Sequence, residues 1–165
     1  MSLPDGSNRE LAEGSTAADL AADIGPGLAK AALIAVVDGT EVDLDVPLPD
    51  GAEVSLVTGK DSAGLQTIRH SAAHLMAQAI VDLHPGARFA IGPPIEHGFY
   101  YDFDFPDGKT LSNDDLDAVE QRMHELAEAD QPFDRHECSI EDAMELFKNE
   151  PYKLEIIENL SLIHI

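Results

Sequence analysis

Residues 32–44 read ALIAVVDGTEVDL: an apolar run from Ala32 to Val37, an Asp38-Gly39 turn, then Thr40 to Leu44. Asp-Gly between two β-prone runs is the signature of a two-residue hairpin, because both turn residues must take positive φ. Downstream, Pro49-Asp50-Gly51 marks a turn, and Glu53 to Thr58 (EVSLVT) alternates as a further strand. Upstream, Ser15 or Thr16 can cap a short helix reaching Ile24. Gly25-Pro26-Gly27 is expected to end that helix. Pro4-Asp5-Gly6 is another turn signal, so Met1 to Leu3 leaves room only for a very short first strand.

Strands, one helix and more strands within residues 1–61 fit a small ubiquitin-like β-grasp. Lys60 to Gly64 is a polar joint. From Ser62 to about His84 the pattern turns helical, with Leu65, Ile68, Ala72, Leu75, Ala79 and Leu83 spaced to share one face. Pro85-Gly86 stops it. Arg88 to Asp104 reads as two short strands around a turn, and Pro106-Asp107-Gly108 as a further turn. Ser112 with Asp115 makes a capping box, behind which Leu116, Val119, Met123 and Leu126 point inward. Ser139 with Asp142 repeats the signal ahead of Ala143, Leu146 and Phe147. The expected class is α+β.

The chain has 165 residues and a formal net charge of -22, with 32 acidic against 10 basic residues. Such a surface repels phosphate backbones and anionic lipid, so charge alone does not fit it to nucleic acid. Its plain reading is solubility. The excess is spread along the chain, Asp outnumbers Glu and Lys is scarce, which suggests a salt-adapted source. One cysteine, Cys138, rules out an internal disulfide framework. Met1 to Glu10 has no apolar leader core, and no run approaches the roughly 18 to 20 apolar residues of a membrane span. A reducing cytoplasm is the default expectation.

His70 and His74 lie four residues apart, project away from the apolar stripe beside Gln78, and so face one way. Two imidazoles so placed can share a metal, position a water, or be two solvated side chains. The zinc-protease helix signature is absent, because Ser71 stands where that motif has Glu. In Gly98-Phe-Tyr-Tyr-Asp-Phe-Asp104 alternation buries one aromatic set and exposes the other; a Tyr there can serve a cleft or simply pack. Lys153, after Pro151-Tyr152, can stabilise an oxyanion or phosphate, or pair with Glu150 or Glu155 at the surface. His136 and Cys138 lack a second Cys, so they read as a surface pair, with Cys138 half-buried.

The strings Ser2-Leu-Pro-Asp-Gly-Ser7, Asp23-Ile-Gly-Pro-Gly-Leu-Ala-Lys30, Ile68-Arg-His-Ser-Ala-Ala-His-Leu75, Ala90-Ile-Gly-Pro-Pro-Ile95, Gly98-Phe-Tyr-Tyr-Asp102, Arg122-Met-His-Glu-Leu-Ala127 and Tyr152-Lys153 occur in one order. Together they closely resemble the N-terminal region of bacterial-type threonyl-tRNA synthetases. The resemblance implies a TGS domain of β-grasp type over 1–61. It implies the first part of a threonyl/alanyl-type editing domain over 62–160.

That family's editing site is an HxxxH pair plus a later CxxxH pair. His70 and His74 match the first; Gly92, Tyr101 and Lys153 match pocket-lining positions. Cys138 does not stand in for the second pair, which the resemblance places beyond residue 165. The implied activities are ATP-dependent ligation of threonine to tRNA(Thr) and hydrolysis of mischarged Ser-tRNA(Thr). His70, His74 and Lys153 take the catalytic roles, while Gly92 and Tyr101 bind substrate. The implied partner is the tRNA(Thr) acceptor end, with a homodimer formed through other domains and no membrane contact. No metal is expected at the editing pair; ATP, Mg and Zn belong to the synthetic domain. Alternatives are a TGS-containing RNA-binding or regulatory module without catalysis, and an alanyl-type, metal-dependent editing hydrolase. Residues 161–165 (SLIHI) do not resemble the family and read as a non-native tail, so the chain is expected to be a truncated, inactive piece.

The dispersed negative charge generates a test. Raising KCl from about 0.1 M to about 1 M shortens the Debye length from about 10 Å to about 3 Å. The melting temperature should then rise, and a melting point that stays flat or falls with KCl removes the salt-adaptation reading.

Overall fold

The computed structural model describes residues 1–108, 110–131 and 136–163. Pro132, ahead of the His136–Cys138 loop, and the last two residues of the 161–165 segment lie outside the described residues. The chain divides into two compact units, Met1–Arg69 and His70–Ile165.

In the first unit the decisive hairpin forms as read. Strand β1 (Ala32–Val37) pairs antiparallel with β2 (Thr40–Val42), with Val37 opposite Thr40. Asp38 and Gly39 take φ of 49° and 82°, the doubly positive turn that matches strand twist. On its other edge β1 pairs antiparallel with β3 (Val54–Thr58), giving the order β2-β1-β3. Helix α1 (Ala17–Ile24) carries a full capping box. Thr16 Oγ1 accepts from the Asp19 amide at 3.3 Å, and Asp19 Oδ2 accepts from the Thr16 amide at 2.9 Å. Its buried residues Ala17 and Leu20 join Ala35, Val37, Leu48, Ala52 and Val54 in the core.

One expectation for this unit holds with an addition and one needs correcting. The first helix ends at Gly25 as expected, and a second, α2 (Pro26–Ala31), starts at once with Pro26 in its first turn. Proline there loses nothing, since the first amides of a helix have no intrahelical acceptor. The opening strand is reduced to isolated bridges. Ser2 donates to Ala52 O and accepts from the Val54 amide, both at 2.9 Å. The Leu3–Ser7 turn then takes the chain away, since Pro4 has no N–H to continue a ladder.

The second unit is built on α3 (Ser62–Leu83), whose residues from His70 onward belong to it. The strand region is one interrupted hairpin. Strand β4 (Arg88–Phe89) pairs with β7 (Phe103–Asp104), and β5 (Pro94–Ile95) with β6 (Gly98–Phe99). A 3-10 turn at Pro106–Gly108 follows. Helix α4 (Asn113–Glu128) has the expected capping box between Ser112 and Asp115. Its Val119 and Leu126 are buried, whereas Leu116 is 52% exposed. Helices α5 (Ile140–Leu146) and α6 (Pro151–Ile163) complete the order. Among the described residues, no helix is long and apolar enough to cross a membrane.

The stripe expected on α3 is only partly the buried one. Leu75 and Ala79 pack inward, but Leu65, Ile68 and Leu83 are 39%, 45% and 39% exposed. Ala73, Ala77 and Ile80 are buried instead. At 100° per residue, Leu75 through Ala77 cover an arc of more than half a turn. Burial on so wide an arc uses small residues and weakens the one-sided periodicity that a sequence reading follows.

Leu20 has zero exposure in the first unit's core. Leu20→Ala should therefore cost about 2–5 kcal/mol. Urea unfolding followed by circular dichroism checks this, with Ser112→Ala, a cap on the other unit, expected to cost only about 1 kcal/mol.

Candidate functional site

The rotation of α3 places His70 and His74 at the border of its buried arc, beside Ala73 and Ala77, and not opposite the core. Their Nε2 atoms lie 2.7 Å apart, and the ring centroids 4.6 Å. At that separation one ring donates and the other accepts, so the accepting ring is neutral. His74 is held below the usual histidine pKa, chiefly by burial, then by the adjacent His70 and by Lys153. The lone pair left for a water is then the Nδ1 of the donating ring whenever that ring is neutral.

Tyr101 lies edge-on to His74, with centroids 6.4 Å apart. It packs between Phe89 at 5.9 Å and Phe103 at 5.2 Å. Burial raises its phenol pKa, keeping the O–H a donor. This half-buried set of Tyr101, Phe103 and Phe105 alternates with exposed Tyr100, Asp102 and Asp104, as the strand pattern predicts. Gly92 sits directly against the Tyr101 ring: a Cβ there would fall inside the van der Waals envelope of Cδ2 and Cε2. The requirement is close approach, since only a residue without a side chain lets this ring lie on the backbone.

Lys153 reaches the same region from the first turn of α6. Its Nζ stands 4.8 Å above the Phe89 ring centroid and 3.5 Å from the Ala90 carbonyl oxygen. Burial lowers its ammonium pKa, with Glu150 opposing the shift. The ion pairs to Glu150 or Glu155 that its neighbourhood suggests are not formed. So His70, His74, Gly92, Tyr101 and Lys153, separated by up to 83 positions, gather in one unit. Phe89 and Ala90, which seat the lysine, carried no sequence signal, because the contact spans 64 positions.

On its other flank His74 borders a cleft of ≈ 400 Å³ between α3 and α4, lined by Leu75, Gln78, Leu126 and Asp130 among others. Gln78 closes one end by donating to Gln131 at 3.3 Å. Cys138, expected to be half-buried, is exposed, as is His136. Among the described residues, no three His, Cys, Asp or Glu side chains converge as a metal site.

Residues 1–58 match the TGS domain family. The chain is 52% identical over 162 residues to a threonine–tRNA ligase of Geobacter sp. (strain M21), covering 97% of this chain and 25% of that protein. The corresponding ligase of Citrifermentans bemidjiense is 51% identical over 162 residues, with the same coverage. That of Pelobacter propionicus is 51% identical over 163 residues, covering 98% of this chain and 25% of that protein. The chain thus spans about a quarter of the length of the curated relatives it matches. Over nearly its whole length the chain is thus similar to the N-terminal part of threonine–tRNA ligases, and its first 58 residues match a TGS domain.

Proposed function

We propose that the chain contributes the first wall of an editing site that hydrolyses Ser-tRNA(Thr). The parent enzyme would ligate threonine to tRNA(Thr) with ATP in the cytoplasm. The observation that carries this reading is the hydrogen-bonded His70–His74 pair, flanked by the Tyr101 hydroxyphenyl ring and by the Lys153 ammonium. The partner is the aminoacylated acceptor end of tRNA(Thr). ATP, Mg and Zn would serve the synthetic domain, and dimerisation would run through domains outside this chain.

The chemical need is discrimination. Serine lacks one methyl of threonine, a difference worth only about 1–3 kcal/mol in a pocket built for the larger side chain. A second, hydrolytic sieve supplies the rest. Water adds to the carbonyl carbon of the seryl ester, giving a tetrahedral oxyanion; the ester C–O bond then breaks and the ribose oxygen leaves with a proton. Such a reaction needs a base or acceptor for the water and a donor for the oxyanion. The neutral imidazole pair can orient and activate the water. Lys153 can face the oxyanion, and Tyr101 pressed on Gly92 narrows the space where a further methyl would go. A CxxxH pair would complete the site from outside this chain.

The alanyl-type zinc reading fits the pair less well. Two nitrogens on a tetrahedral zinc, each about 2.0–2.1 Å from the metal, stand about 3.3 Å apart. The His70 and His74 Nε2 atoms stand closer than that, at 2.7 Å.

Two outcomes are expected. In an enzyme that carries a CxxxH segment after this chain, His70→Ala should cut hydrolysis of Ser-tRNA(Thr) by about 10²–10⁴-fold. Threonine charging should be spared; undiminished deacylation by the variant would remove the assignment. The second concerns pH. His74 must be neutral to act, and burial together with His70 and Lys153 holds its pKa below the usual histidine range. Hydrolysis should therefore persist on acidification to a lower pH than an ordinary histidine allows, and fall only as pH drops through the lowered pKa. An acid limb at or above the midpoint of an unperturbed histidine contradicts it.

A further inference from the structure

Lys153 is a half-buried cation in a chain of net charge -22, and among the described residues no carboxylate forms an ion pair with it, although Glu150 acts on it at longer range. What holds it is an aromatic face and a carbonyl: Phe89 at 4.8 Å and Ala90 O at 3.5 Å. Both belong to β4 and the residue after it. The neighbouring side chain on α6 makes a second attachment to the same hairpin, the Tyr152 hydroxyl donating to Asp104 Oδ2 at 3.4 Å. Asp104 lies opposite Arg88 in the β4–β7 register, one position from the Phe89–Phe103 pair. The first turn of α6 is thus attached to both strands of β4–β7. The other wall of Phe89 is Tyr101, which meets His74.

We propose that Phe89 and the Tyr152–Asp104 hydrogen bond are positioning elements that seat the Lys153 ammonium on the aromatic wall that Tyr101 shares with His74, without an ion-paired carboxylate. A carboxylate seat would neutralise the lysine and draw the imidazole toward its charged form. An aromatic seat holds the cation through the ring's negative face and leaves its charge unspent. A hydrogen bond from the preceding residue fixes the helix turn without touching the ammonium. In an acidic chain this arrangement keeps one positive charge directed at the imidazole pair and at whatever anion develops there. The catalytic meaning of that seat rests on the editing reading, but the seat itself is read out without tRNA.

The groups facing His74 are His70 on its own helix, Tyr101 on the hairpin and Lys153 on α6. Those facing Lys153 are Glu150 beside it and His74 across from it. The test is a two-dimensional NMR titration of the His74 ring in the full chain. Lys153→Met removes the repelling charge and sets the largest upward shift of the His74 midpoint. Phe89→Leu keeps apolar bulk but removes the ring face; it should shift His74 upward by no more than Lys153→Met does. In the Lys153→Met background it should add nothing further. Tyr152→Phe should shift His74 the same way by a smaller amount, and it retains the ring should Phe89→Leu fail to fold. Wild-type titration of His74 in folded Phe89→Leu and Tyr152→Phe overturns the proposal. So does a Phe89→Leu shift that persists without Lys153, which would report repacking alone. Loss of the His70→Ala effect on deacylation would sink the editing reading and leave these shifts untouched.

Discussion

The second unit depends on how α3 is rotated about its axis, and packing sets that rotation. Ala79 and Ile80 are buried with Val119 and Leu126 of α4, while Met76, Phe103 and Phe105 pack against the same cluster. Ala73 and Ala77 are also fully or nearly fully buried. Alanines along one side of a helix allow close approach of the neighbouring layer, and close-packed interiors leave little freedom to turn. Once that side is fixed, the positions of residues 70 and 74 follow at 100° steps. They come to the rim of the buried arc, near enough to the hairpin for His74 to meet Tyr101. An Arg122 guanidinium adds a surface clasp, donating to Asp82 of α3 at 2.8 Å while holding Glu125 at 2.9 Å. Exposed pairs of this kind contribute little, so the apolar cluster sets the angle.

The parts of this architecture that were legible are the local ones. An Asp-Gly dipeptide states its own φ requirement, and a Thr or Ser three residues before Asp states its own cap. The β1–β2 hairpin, the Thr16 cap and the Ser112–Asp115 capping box accordingly form where the sequence puts them, while Ser139 caps α5 without the reciprocal bond from Asp142. The interrupted hairpin over 88–104 also follows, since Pro93 and Pro94 cannot donate to a ladder. The inward side of α3 was only half legible: Leu75 and Ala79 carry the signal, but Ala73 and Ala77 are too small and too weakly apolar to mark the second buried side. Helix α6 carries no helical signal in the sequence beyond Pro151 at its start. Its apolar residues Leu154, Ile156 and Ile157 do not settle on one helical face.

The candidate site shows the same division. His70 and His74 are legible as a pair because their spacing is helical. Their meaning is not, since the same spacing serves a metal, a water or no ligand. Gly92 and Tyr101 became legible only through the family's strings, as the approach of a glycine backbone to a ring nine residues away leaves no periodic trace. The lysine's seat on Phe89 has no sequence signature at all. Its geometry arises when α6 returns to the hairpin, a tertiary event that neither residue announces.

The shared contact between the two imidazoles has a consequence for their outer edges. Each ring spends Nε2 on the other, so only Nδ1 is left to face outward. In the neutral pair the accepting ring carries its proton on Nδ1, whereas the donating ring has Nδ1 bare. The two outer edges therefore differ in character: one offers N–H, the other a lone pair. A single water bridging them would be oriented at both ends. Adding one proton to the pair abolishes the difference without separating the rings, because both edges then become donors. Acid would thus silence the pair by erasing its polarity while its shape stays the same.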